Sequence, residues 1–180
     1  RWIYSEFKKI SDLCNGCIEV MYVSDNVSGE SRIPSLTEIV NVIAIQRGSE
    51  RPNDFVMMSG DIDSRVTDPL DGISDSPGAN DNASGMAGVL EAARVLSRRE
   101  YAGSIIYAGL SGEEQGLFGG KILAAEAKAE GWYLEGVLNN DMIGNIQGID
   151  GVIDNQTVRV FSEATRVLET DAQRKLRAST

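Results

Sequence analysis

The chain has 180 residues, 42% of them apolar and 24% charged, the proportions of one globular domain long enough to bury a core. A net charge of −10 repels a phosphate backbone and so excludes nucleic acid as a partner, and no run of about eighteen apolar residues exists to span a membrane. Histidine is absent, which removes Ser-His-Asp and Cys-His mechanisms together with the commonest zinc ligand, so any hydrolytic chemistry must run on carboxylates.

Arg1 opens directly into an amphipathic pattern with no leader before it, as in a mature or trimmed chain. Ile3, Phe7 and Ile10 recur at helical spacing and predict a helix over Trp2 to Leu13, stopped by Asn15-Gly16. Cys14 and Cys17 follow it. No second pair and no histidine are present to complete a structural zinc site, and the pair comes after a helix instead of opening one. That leaves a short surface disulfide of an oxidising compartment, or two ordinary thiols, ahead of redox catalysis. Strands are expected over Cys17 to Ser24, Glu38 to Gln46, Asp54 to Ser59, Ser104 to Leu110 and Leu134 to Asn139, with a further one over Val158 to Phe161. Helices are expected over Ser84 to Arg98 and Gln115 to Ala129, and the tail from Glu163 to Thr180 is helix-prone but weakly apolar. Ser64 to Ala79 reads as a long loop, and loops of that length in compact domains usually serve function. Alternating strands and helices predict an α/β fold, a three-layer sandwich with a mainly parallel mixed sheet between helices.

In open α/β sheets ligands bind beyond the carboxyl ends of strands. Asp61 and Asp63 follow the third expected strand, Glu113 and Glu114 the fourth, Asp141 the fifth, and Asp81 stands at the mouth of the helix near Ser84. Singly each reads as a helix cap or a solvated turn acid. Together, six like charges at one rim repel unless a cation binds there or several are protonated, and oxygen-rich clusters suit divalent metals. Adjacent Glu113 and Glu114 point in different directions, so that one can ligate while the other faces a water as general base.

These residues carry a resemblance. Pro77-Gly-Ala-Asn-Asp-Asn-Ala-Ser-Gly85 with Leu90-Glu-Ala-Ala-Arg94, Gly112-Glu-Glu-Gln-Gly-Leu117 and Asn140-Asp-Met-Ile-Gly144 resemble, in order, the three signatures of the family-28 metallopeptidases, the co-catalytic dizinc aminopeptidases and their carboxypeptidase relatives. The resemblance implies a phosphorylase/hydrolase-like fold holding two zinc ions, with cobalt or manganese as substitutes. On the same resemblance Asp81 bridges the metals through a cis Asp81-Asn82 peptide, Glu114 and Asp141 each ligate one ion, Glu113 is the general base, and Asp63 orients a ligand histidine. At the usual position of that histidine this chain has Asp61, which either still ligates or marks a degraded half-site. The family's last histidine ligand lies beyond Thr180. The resemblance thus implies a single peptidase-like catalytic domain over residues 1–180 that lacks the family's closing strands and helices, from a secreted or periplasmic exopeptidase acting on peptides. A non-catalytic peptidase-like interaction domain and a glutaminyl-cyclase-like acyltransferase are the alternatives.

Overall fold

A computed structural model describes residues 1–148, 150–158 and 160. The chain divides into two compact units, Arg1–Gly144 and Asn145–Thr180. In the first unit, helix α1 (Trp2–Leu13) closes where Asn15 and Gly16 take positive φ values of 57° and 82°. Cys14 and Cys17, just beyond, are joined by a disulfide. Strands β1 (Glu19–Val27), β2 (Thr37–Gln46), β3 (Arg51–Asp61), β4 (Gly103–Leu110) and β5 (Tyr133–Asn139) form one sheet in the order β1-β2-β4-β3-β5. β2 runs antiparallel to β1 and β4, while β3 is parallel to β4 and β5, so β2 alone is reversed in a mixed sheet.

Period-2 alternation divides the sheet between two apolar layers. Val42, Ala44 and Tyr107 pack with Phe7 and Ile10 of α1 and with Met86, Val89 and Ala93 of α2 (Gly85–Leu96). On the other face Ile43, Ile45, Phe55, Ile106 and Ala108 pack against Leu123 of α3 (Phe118–Ala129). This is the three-layer α/β arrangement expected from the alternating elements.

Several boundaries differ from the sequence reading for local reasons. β3 starts at Arg51, across Pro52; proline brings no amide to the ladder, and the register with β4 shifts between Arg51 and Phe55. β1 runs on through polar Asp25 and Asn26 because the backbone pairs with Ile39 and Glu38 of β2. α3 begins at Phe118 instead of Gln115, since Gly116 and Leu117 hold φ values of 135° and 62° that no helix contains. Residues 64–78 contain no helix or strand, as the loop reading expects. In the second unit Gln147 and Ile153 form an isolated bridge. Val158 and Val160 carry no strand, and the rest of the strand expected there, with the Glu163–Thr180 tail, lies outside the described residues.

Candidate active site

Three parallel strands deliver their carboxyl ends to one edge. Asp61 ends β3 in register with Leu110 at the end of β4, and Ser59 is in register with Asn139 at the end of β5. Asp61 and Asp63 therefore leave β3 beside the Ser111–Glu114 turn after β4 and beside Asn140-Asp141 after β5. Asp81 arrives on a single irregular turn, Ala79–Ser84, which packs on β3 and leads into α2, and its peptide bond to Asn82 is cis.

The loops are fixed by buried amides. Asn82 is buried and saturated: its Nδ2 donates to Asp61 Oδ2 (3.2 Å) and to the Asn140 carbonyl (2.9 Å), while its Oδ1 accepts from the Gly85 and Met142 amides (3.2 Å each). One side chain thus ties the end of β3, the start of α2 and the loop after β5. Asn41 of β2, fully buried, does the same for the turn after β4, donating to the Gly119 carbonyl (2.9 Å) and accepting from the Ser111 amide (3.0 Å). Asn80 Oδ1 accepts from the Gly144 amide at 3.0 Å. Gly85 is required where it stands, because a Cβ there would overlap the Asn140 carbonyl oxygen and the Asn82 amide.

Asp63 does something different from what the resemblance implies. With no histidine to orient, its carboxylate receives the backbone amides of Glu113 at Oδ1 and Glu114 at Oδ2, both at 3.2 Å. It is a clamp on the Glu113-Glu114 turn. Arginines, unnoticed in the sequence, supply the counter-charge. Arg65 Nε donates to Glu114 Oε2 at 2.6 Å while its Nη1 reaches the Val66 and Thr67 carbonyls, and Arg32 Nη1 donates to the Glu114 carbonyl at 2.7 Å. The available hint was position: Arg65 lies two residues past Asp63 on an otherwise acidic rim.

The carboxylates feel one another. Burial, then the charges of Asp61, Glu114, Asp63 and Asp141, push the Glu113 carboxyl up to about 7. Burial also raises Asp61, to about 6; the Asn82 hydrogen bond opposes this, and Asp63, Asp141 and Asp81 add to it. Asp81 is raised by burial and by Asp141 and Glu114, against the pull of Arg65. All six candidate acids are therefore within electrostatic reach of a common space. Among the described residues no three acidic, histidine or cysteine side chains converge closely enough to hold a metal ion as they stand. In charge and in ligand type the set fits a divalent cation, zinc included since it accepts Asp and Glu oxygen: oxygen donors whose mutual repulsion a cation would relieve.

Residues 41–178 match Peptidase family M28. The chain belongs to peptidase family M28. A probable zinc metalloprotease of Leptosphaeria maculans is 43% identical over 162 residues, covering 90% of this chain and 38% of that protein. The chain thus spans well under half the length of this relative. Among solved structures, an aminopeptidase from Aneurinibacillus sp. strain AM-1 superposes with a TM-score of 0.51 at 30% identity, over 63% of this chain and 27% of that one. The glutaminyl cyclase of Porphyromonas gingivalis superposes with a TM-score of 0.63 at 18% identity, over 79% of this chain and 51% of that one, a likeness of fold alone. The M28 match begins at Asn41, the amide that pins the Glu113-Glu114 turn, and includes every candidate acid.

Proposed function

We infer that the protein carrying this chain is a zinc-dependent exopeptidase of the aminopeptidase kind, hydrolysing the peptide bond next to a chain terminus. The observation that carries this reading is the delivery of Asp61, Asp63, Glu113, Glu114 and Asp141 from the ends of three parallel strands to the rim that Asp81 reaches on the turn before α2, in a chain of peptidase family M28. The zinc metalloprotease relative and the aminopeptidase structure support it. In this reading Asp81, Glu114 and Asp141, with Asp61, hold the cation. A bound zinc ion supplies Lewis acidity, which eases deprotonation of water and polarises a carbonyl.

The rest belongs to the chain. Glu113 takes the proton of the attacking water and returns it to the leaving amine. Asp63 fixes the direction of Glu113 through its backbone amide. Asn82 keeps Asp61 and the loop carrying Asp141 at one depth. The test is peptidase assay of the natural protein with Glu113→Gln: turnover falls by about 10²- to 10⁴-fold with the fold intact, and wild-type turnover would remove Glu113 from the mechanism.

A second reading, a peptidase-like domain without catalysis, draws on one observation: an aspartate, Asp61, buried where a histidine is expected. Absence of bound zinc, cobalt or manganese at saturating supply would favour it. Passage through a secretory compartment, which the Cys14–Cys17 disulfide favours, is part of the proposal.

A further inference from the structure

The sequence contains three Asn-X-Ser/Thr triplets: Asn26-Val27-Ser28, Asn82-Ala83-Ser84 and Asn155-Gln156-Thr157. In an oxidising secretory route such triplets are acceptors for asparagine-linked glycan, provided the amide can enter a transferase. The structure separates them. Asn82 is buried with both ends of its amide engaged, so a sugar on its nitrogen is incompatible with this fold and is not carried by the folded, secreted chain. Asn26 and Ser28 are both exposed. Asn26 lies near the end of β1, a strand paired on one side with β2 and, among the described residues, with nothing on the other. Asn26 is exposed beyond the buried middle of the strand, so a substituent there enters solvent without disturbing the core.

We propose that Asn26 is a site of asparagine-linked glycosylation, and that Asn82, with the same triplet, is not. The co-reactant is an oligosaccharide carried on a lipid diphosphate. The bond between its reducing-end C1 and the phosphate oxygen breaks, a bond from C1 to Asn26 Nδ2 forms, the amide nitrogen gives up one proton, and the lipid diphosphate leaves. The Ser28 hydroxyl, two residues on, completes the acceptor. A glycan here also places a hydrated bulk beside the edge of β1 that is unpaired among the described residues, where an exposed strand would otherwise invite pairing with another chain. Asn155 and Thr157 are likewise exposed, although the Thr157 hydroxyl is occupied by Asp154 at 2.5 Å.

The proposal rests on passage through the secretory route and not on peptidase activity, and the experiment supplies that passage. The natural protein is secreted from a yeast host behind an added leader, then released from glycan by an amidase in ¹⁸O-labelled water and mapped by peptide mass spectrometry. Expected is ¹⁸O-aspartate at position 26, unlabelled asparagine at position 82, and loss of the label at 26 in Ser28→Ala, which keeps the asparagine and breaks only the acceptor. An unlabelled Asn26 in the secreted protein overturns the assignment, as does label that persists in Ser28→Ala. Label at Asn82 would overturn the burial argument that separates the triplets.

Discussion

Glu113 and Asp63 form a working pair in which one does chemistry and the other holds it in place. Replacing Asp63 with Asn leaves one oxygen to accept an amide and turns an NH₂ toward the other amide. We expect Asp63→Asn to lower kcat by about 10- to 100-fold with KM little changed, as loss of a group that orients a reacting residue does. A variant whose KM rises while kcat holds would place Asp63 in substrate binding instead. Asn41 is expected to act on stability: Asn41→Ala strands the Ser111 amide and the Gly119 carbonyl, at a cost of roughly 2–3 kcal/mol read from the denaturant midpoint. The six acids were legible as residue types, five after strands and Asp81 at the mouth of a helix. Their supports were not: Asn82 stands in a polar turn and Asn41 inside an apolar strand, where nothing in the spacing marks either, and what distinguishes them is depth, which only folding creates.

Among elements, the junction of α2 with the loop after β5 is the tightest. Gly85 opens α2 against the Asn140 carbonyl, so Gly85→Ala must push the helix and the Asp141 loop apart. The expected cost is about 1–3 kcal/mol, as for other overpacking changes, together with weaker cation binding, because Asp141 moves with Asn140. Differential scanning calorimetry with and without added zinc separates the two effects. A variant with unchanged midpoint and unchanged zinc response would show that the junction has slack. The helices and strands were readable because their apolar spacing is strong: α1 appears over the residues expected, and the strand cores coincide. The ends were less so. Leu117 with a positive φ and Pro52 inside a strand are tertiary outcomes, imposed by pairing and packing against local preference.

At the scale of the whole molecule the acidic rim couples stability to pH and to cations. The Asp61 and Glu113 carboxyls stand above their ordinary values of 3.8 and 4.5, so folding favours their protonated forms. Stability from these groups is fully present below about pH 4 and is lost as pH rises through their folded values of about 6 and 7. The thermal midpoint of metal-free protein should therefore fall between about pH 4 and pH 7 and level off above, and Asp61→Asn combined with Glu113→Gln should flatten the slope. A midpoint that rises over that range would contradict the assignment. The most direct test of the central claim is anomalous diffraction at the zinc edge from crystals of the natural protein grown with zinc. The account predicts zinc density bound by Asp81, Glu114 and Asp141, with Glu113 alongside and unligated. Zinc found elsewhere, or a rim that stays free of metal at saturating supply, would contradict it.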